Sequence, residues 1–225
     1  LPILFYWAPE LEGQYKLGAF RNHRPTVIMD AFREAATMVN ARPAVTWDGL
    51  SLMIDGKRVA PVMGEIHYSR IPAEEWAREV HKMKLGGITM IACYVFWNHI
   101  EEVEGQYDWS GRRSLRDFLE VCQLEGLPVI LRLGPFCHGE VRHGGIPDWA
   151  LKRGVKMRSE NPEFLEMARN LYRQIFTQVQ GLQWKDGGPV VAAQFDNEFG
   201  GHASYLLSLK KIAKEVGFDL PFYTR

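Results

Sequence analysis

The amino-acid sequence predicts an α/β fold in which parallel strands are covered by helices. Two features support this prediction. Short apolar runs alternate with amphipathic helical segments from residue 51 onwards. The runs are apolar at consecutive positions rather than at every second one, which is typical of strands buried on both faces.

The first predicted elements are a hairpin and a helix. Residues 52–55 and 58–63 flank Gly56, which predicts a β-hairpin whose second arm continues into a buried strand. A helix follows over 73–85, with Trp76 on its apolar face and therefore in the core. The further strands are predicted over 88–96, 127–133, 190–195 and 221–224, and the further helices over 114–125, 162–179 and 203–216.

Two architectures are compatible with this alternation, the doubly wound open sheet and the closed (β/α)8 barrel. No G-x-G-x-x-G phosphate loop follows a strand, which disfavours a nucleotide-binding sheet. A closed barrel needs eight strands and typically about 250 residues. If the chain is a barrel, it contains only about five of the strands.

Residues 1–45 differ from the rest and are predicted to be an N-terminal extension of the domain over 46–225. Four prolines interrupt this segment, and only 31–39 has helical periodicity. The chain begins at Leu1 rather than Met, so we expect an upstream segment to have been removed. That expectation favours a secreted or periplasmic protein.

The balance of charge narrows the choice of partner. Lys plus Arg equals Asp plus Glu at 27 each, so no overall basic field favours nucleic acid or an acidic membrane. A neutral substrate fits this balance. Three cysteines make no disulfide framework, and no motif indicates a cofactor.

Polar and aromatic residues collect where the predicted strands end. They follow four strands in succession, at 65–68, 94–98, 132–140 and 196–198. In a parallel barrel these segments meet at the carboxyl-terminal rim, where active sites of that fold lie. Aromatic faces and hydrogen-bonding side chains suit a sugar ring. The aromatic candidates are Tyr68, Tyr94, Trp97, Trp109 and Trp149.

Asn197 and Glu198 are the strongest candidates for catalytic residues in this set. A glycosidase needs a carboxyl group that donates a proton to the departing oxygen and then activates water. Glu198 follows an apolar strand, so we expect it to be partly desolvated, and Asn197 can hold a sugar hydroxyl beside it.

A metal site is the alternative for the loop that contains Cys137, His138, Glu140 and His143. The loop has neither His-x-His nor H-E-x-x-H spacing, so we expect no metal there.

Several stretches in a fixed order resemble glycoside hydrolase family 35, the exo-acting β-galactosidases. The sequence from about 52 to 200 is identified as a member of that family. The stretches are GEIHYSR (64–70), YVFWN (94–98), GQY (105–107), LRLGPF (131–136), GGIPDW (144–149), GGP (187–189) and NEFG (197–200).

The resemblance implies a (β/α)8 TIM barrel that removes terminal β-galactose from oligosaccharides or polysaccharides with retention of configuration. Glu198 matches the general acid/base of the family and Asn197 the neighbouring sugar-binding Asn. Tyr94 and Glu140 match residues that contact galactose, and Gly139 a backbone contact. The nucleophile of the family is a second Glu on the seventh strand, so we expect a C-terminal remainder of the barrel beyond Arg225 and no activity of residues 1–225 alone.

The sequence departs from the family pattern at several positions. Most members have Cys-Ala-Glu-Trp or Asn-Ala-Glu-Trp where this chain has HGEV, so a titratable His138 joins the expected substrate-binding residues. Asp196 stands where Glu is common, and Phe199 where Tyr is common. These changes leave two alternatives open: a retaining β-glycosidase with another sugar specificity, and a non-catalytic carbohydrate-binding protein.

Overall fold

The computed structural model describes residues 45–48 and 50–224, which form two β-sheets and the helices that cover the larger one. The smaller sheet is antiparallel. Its strands are β1 (Thr46–Trp47), β2 (Leu52–Ile54) and β3 (Lys57–Val59).

The turn between β2 and β3 is the one predicted around Gly56. Asp55 and Gly56 both have positive φ, 52° and 72°, as two-residue hairpin turns require. The hairpin prediction is confirmed. Its second arm, however, ends at Val59, and a separate strand of the larger sheet starts at Met63.

The larger sheet contains five strands, all parallel. Neighbours along the chain are neighbours in the sheet, so the strand order does not reverse anywhere in the described part. A doubly wound sheet has such a reversal, and its ligands bind there. The observed order is that of a sheet wound in one direction. The strands are β4 (Met63–Glu65), β5 (Met90–Tyr94), β6 (Val129–Arg132), β7 (Val190–Gln194) and β8 (Phe222–Tyr223).

A long helix connects each strand of the larger sheet to the next, as predicted. Two short helices lie in the loops after β5 and β6. In chain order the helices are α1 (Trp76–Leu85), α2 (Trp97–Ile100), α3 (Leu115–Leu124), α4 (Asp148–Lys152), α5 (Pro162–Val179) and α6 (Ala203–Val216).

Local sequence sets the starts of α3 and α5. The Ser114 hydroxyl accepts a hydrogen bond from the Asp117 backbone N–H at 3.3 Å. Asn161 Oδ1 accepts from the Glu163 N–H at 2.9 Å, and Pro162 occupies the first turn. These side chains satisfy N–H groups that have no partner inside the helix, which explains why the predicted starts agree with the structure.

The three central strands of the larger sheet, β5, β6 and β7, are buried on both faces. One face packs against the helices through side chains such as Ile91, Leu131 and Ala193. The other packs, near the amino-terminal ends of the strands, through Met90 and Ile130 together with side chains of β2. The smaller sheet therefore covers the end of the larger sheet that is opposite to the predicted site.

Most of the predicted extension, including the helix over 31–39, lies outside the described residues. Val45 is described and packs in the same cluster as Met90 and Ile130. No helix in the described part of the chain combines the length and apolar character needed to cross a membrane.

Candidate active site

The turn after β7 carries Asn197 and Glu198. Asp196 and Glu198 adopt left-handed backbone conformations, with φ of 48° and 47°. Asn197 is only 2% exposed, whereas the Glu198 side chain is 52% exposed. The expected desolvation of Glu198 is therefore absent among the described residues, because the apolar run of the strand ends at Phe195 and the turn directs the Glu198 carboxylate outward.

Arg158 fixes this turn from the loop between α4 and α5. Its Nη2 donates to Asp196 Oδ1 at 2.6 Å and to the Asn197 carbonyl at 2.7 Å. Asp196 is fully buried and also accepts from the Tyr205 hydroxyl at 2.8 Å. The guanidinium lies 3.9 Å above the Phe136 ring. One cation thus holds both the carboxylate and the backbone of the turn that presents Glu198.

Arg132, the last residue of β6, lies at the centre of a polar layer at the strand ends. Its Nε donates to Gln194 Oε1 at 2.5 Å, and its Nη2 donates to Asn197 Oδ1 at 2.7 Å. Its Nη1 donates to Glu65, and the guanidinium stacks on the Tyr94 ring at 3.6 Å. Side chains from four neighbouring strands and their loops therefore meet on one residue.

This layer sets the orientation of Asn197. Its Oδ1 accepts from Arg132 and also from Gln194 Nε2 at 3.1 Å. With the acceptor oxygen committed to two donors, the Nδ2 group is the part of the amide that can donate to another molecule. The geometry therefore provides a fixed N–H donor on the residue that precedes Glu198.

The loop after β6 approaches the sheet closely at Gly139. A Cβ at this position would lie 3.2 Å from His67 Nε2 and 3.4 Å from the Phe96 ring, so the close approach favours glycine. Glu140 follows with a positive φ of 49°, and its carbonyl accepts from Arg70 Nη2 at 3.2 Å. The loop is thus held against β4 and β5.

His138 and Tyr94 complete the arrangement. His138 Nδ1 lies 3.4 Å from Glu198 Oε2, which joins the loops after β6 and β7. Tyr94 is fully buried and its ring packs 5.6 Å from the His67 ring. Burial raises the pKa of Tyr94 to about 12, so its hydroxyl stays protonated at neutral pH and can donate. Burial lowers the pKa of His67, which favours a neutral ring.

The structure places all six predicted site residues at the carboxyl-terminal end of the parallel sheet. Tyr94 ends β5, three residues lie on the loop after β6, and two lie on the turn after β7. Direct contacts join His138 to Glu198 and Gly139 to the His67 ring that packs on Tyr94. The six are Tyr94, His138, Gly139, Glu140, Asn197 and Glu198.

Two aromatic residues predicted at the rim belong to the core instead. Tyr68 is fully buried and stacks on Phe118 at 5.3 Å. Trp97 is fully buried, packs against Trp149 at 5.7 Å, and donates its indole N–H to Glu101 Oε2 at 2.6 Å. Trp97 begins α2 and packs in the cluster between the sheet and the helices, whereas Tyr94 packs in a separate small cluster with Phe96 and Cys137. The prediction that Tyr68 and Trp97 bind sugar is wrong.

Trp97→Phe should therefore destabilise the protein without weakening substrate binding. Loss of the indole N–H leaves the buried Glu101 oxygen without this donor, which should lower the free energy of unfolding by about 1–3 kcal/mol. Denaturant unfolding would measure the change, with Trp47→Phe as the control because Trp47 is 57% exposed. Unchanged stability together with a raised KM would contradict the assignment to the core.

The cysteines supply no exposed thiol to the site, although Cys137 packs in the same small cluster as Tyr94. All three are unpaired and buried, and burial raises the pKa of the Cys93 and Cys137 thiols. Cys137 Sγ faces the Val95 carbonyl at 3.6 Å. Within residues 45–48 and 50–224, no three His, Cys, Asp or Glu side chains form a group that could hold a metal ion.

The profile of glycosyl hydrolases family 35 matches residues 51–223. The chain belongs to this family. It is 34% identical to a beta-galactosidase of Xanthomonas manihotis over 193 residues, which are 84% of this chain and 32% of that protein. It is 40% identical to beta-galactosidase 11 of Arabidopsis thaliana over 158 residues, 69% of this chain and 19% of that protein.

The family 35 chain thus spans a third or less of the length of these curated relatives. Among solved structures, GH5_18 from Streptomyces cattleya, determined in complex with GlcNAc, has a TM-score of 0.58 and 10% identity. The match covers 73% of this chain and 44% of that one. At this identity the similarity concerns the fold, which is that of the TIM-barrel glycosidases.

Three residues that organise the candidate site were not among the predicted site residues. Arg132 and Gln194 end apolar strands, and that position was a usable signal. No local sequence pattern indicates Arg158, because it lies in a loop 38 positions before its partner Asp196.

Proposed function

We propose that the full-length protein is a retaining, exo-acting β-galactosidase with Glu198 as its general acid/base. The observation that carries this proposal is the turn after β7. Arg158 holds its backbone, Arg132 and Gln194 orient Asn197, and Glu198 is the next residue of the same held turn. A carboxyl group on a rigid turn next to a residue with an oriented donor suits acid catalysis at a glycosidic oxygen.

In the proposed reaction Glu198 acts twice. It first gives its proton to the glycosidic oxygen while a carboxylate nucleophile attacks the anomeric carbon and the C–O bond breaks. It then takes a proton from the water that releases the sugar from the nucleophile. Asn197 donates to a sugar hydroxyl, while Tyr94, Glu140 and the Gly139 backbone bind the terminal galactose.

The nucleophile belongs to the part of the barrel that this proposal places after residue 225. The five parallel strands, in consecutive order, would be the first five of eight. On this view residues 46–225 are the first half of the barrel and 1–45 an extension. The remainder would supply the second carboxyl group about 5–5.5 Å from Glu198, as retention of configuration requires.

The test measures how fast the full-length protein hydrolyses four aryl glycosides: the β-galactoside, the β-glucoside, the β-mannoside and the N-acetyl-β-glucosaminide. We expect galactoside to be preferred, and NMR to show the β-anomer as first product. Residues 1–225 alone should be inactive. Preference for another sugar would move the assignment to a different retaining glycosidase. Binding of galactose without hydrolysis of any substrate would overturn the proposed enzymatic function and favour a non-catalytic carbohydrate-binding protein.

A further inference from the structure

Two 3-10 turns at the carboxyl-terminal end of the sheet bring arginine side chains together. The turn Tyr68–Arg70 follows β4, and the turn Gly111–Arg113 lies in the segment between α2 and α3. The two turns pack against each other. Arg70 and Arg112 are both exposed, and in the described part of the chain neither of them forms an ion pair with a carboxylate. The two turns therefore carry positive charge that no neighbouring acid balances.

The side chain of His99, on α2, lies within reach of this charge. Its Nδ1 is 2.8 Å from the Oγ of the buried Ser69, and its ring packs 5.0 Å from the Phe96 ring. Burial lowers the pKa of His99, and the arginines of the two turns lower it further. One of these, Arg113, pairs with Asp108 at 2.6 Å. The positive charge that remains belongs to the other two guanidinium groups.

Arg70 is held in place on the wall of the candidate site. Its guanidinium lies 4.6 Å from the centre of the Phe96 ring. Its Nη2 donates to the Glu140 carbonyl at 3.2 Å, and Glu140 is one of the residues proposed to bind galactose. The remaining N–H groups of the guanidinium can donate to another molecule. Because the ring contact and the hydrogen bond already restrict the side chain, binding costs little further conformational entropy.

We propose that Arg70 and Arg112 form a subsite for an oxyanion on the terminal sugar, either a sulfate ester of galactose or the carboxylate of galacturonic acid. Planar guanidinium groups bind such oxyanions through paired hydrogen bonds, and a bound oxyanion balances the positive charge of the two turns. The arginines follow β4 and β5 whereas Glu198 follows β7, so the subsite lies away from the residue that acts on the glycosidic bond. This inference rests on the proposed function and names a substrate class for it.

The experiment compares kcat/KM of the full-length protein on a neutral aryl β-galactoside, on its sulfate esters at each hydroxyl in turn, and on the aryl β-galacturonide. Arg112→Gln should leave the neutral substrate unaffected. For at least one anionic substrate, kcat/KM relative to the neutral one should fall about threefold to fivefold, the contribution of one exposed ion pair. The substrate that responds identifies the ester or the carboxylate. An unchanged ratio for every anionic substrate would overturn the inference.

Arg142→Gln is the matched control. Arg142 is also an exposed arginine at this end of the sheet, on the loop after β6, but it pairs with Asp148 at 2.9 Å. The ratio of anionic to neutral substrate should therefore keep its wild-type value in this variant. An equal fall in both variants would show that the ratio follows the overall charge of the rim, and would overturn the assignment to Arg70 and Arg112.

A binding measurement separates failure of this inference from failure of the proposed function. Calorimetric titration of full-length Glu198→Gln with galactose, its sulfate esters and galacturonic acid should show tighter binding of an anionic sugar. The difference should vanish at about 1 M salt, where the Debye length is about 3 Å. If the wild type hydrolyses galactosides but the variant binds no anionic sugar more tightly, the subsite alone is overturned. If the wild type hydrolyses no glycoside but an anionic sugar binds more tightly, the proposed function is overturned and the subsite is retained.

Discussion

Glu198→Gln should lower kcat/KM of the full-length protein on an alkyl β-galactoside by about a hundredfold to ten-thousandfold. The amide keeps the shape of the side chain but cannot give a proton to an alkoxide leaving group. Because Glu198 is half exposed and makes no core contact, the fold should be retained and the unfolding midpoint should change little.

The dependence on the leaving group separates catalysis from binding. An aryl galactoside whose phenolate leaves without protonation should lose much less of its first-step rate than the alkyl substrate. Steady-state and burst kinetics with both substrates would measure this. Glu166→Gln, a half-exposed carboxyl group on α5 beside Arg169, is the control and should leave both rates unchanged. Equal losses with the two leaving groups would show that Glu198 serves binding rather than proton transfer.

Arg158→Met should lower the free energy of unfolding by about 3 kcal/mol, the lower end of the range for breaking a buried ion pair. The variant leaves the Asp196 carboxylate, which is fully buried, with the Tyr205 hydroxyl and its own turn as remaining donors. The lower end applies because the Arg158 side chain is itself 25% exposed. Chemical denaturation would measure the change.

A double variant tests whether Arg158 and Asp196 act together. Arg158→Met with Asp196→Asn should be more stable than Arg158→Met alone, because a neutral amide costs less to bury than an unpaired carboxylate. Arg169→Met is the surface control. Its pair with Glu215 is partly exposed and should contribute less than about 1 kcal/mol. Simple additivity of the two single changes would show that the side chains do not couple.

The long elements of the fold could be predicted because their signals are local. The bounds predicted for α5 and α6 agree with the structure, and Asn161 with Pro162 shows why, since the cap and the first turn are adjacent in sequence. The division between β3 and β4 was missed. Residues 59–63 are apolar and resemble one strand, although Pro61, which cannot donate a backbone hydrogen bond, lies where the chain passes from one sheet to the other.

The site was predictable where it follows from strand ends and unpredictable where it follows from backbone geometry. Asn197 and Tyr94 were found because they end or follow buried strands. Trp97 was misplaced because sequence does not show which face a residue takes once the strand has ended. The exposure of Glu198 depends on left-handed φ values at Asp196 and Glu198. Aspartate is enriched in that conformation, but glutamate is not, so the sequence does not signal the second of the two.

Because the backbone at Glu198 is left-handed, selection for stability and selection for activity favour different amino acids at this position. At φ 47° a side chain with a Cβ is disfavoured by about 1–2 kcal/mol relative to glycine. A library sorted only for survival of heating should therefore enrich glycine at position 198, whereas one sorted for turnover should keep glutamate. The amino acid found at this position in any descendant of the protein would then record which of the two pressures its lineage has experienced.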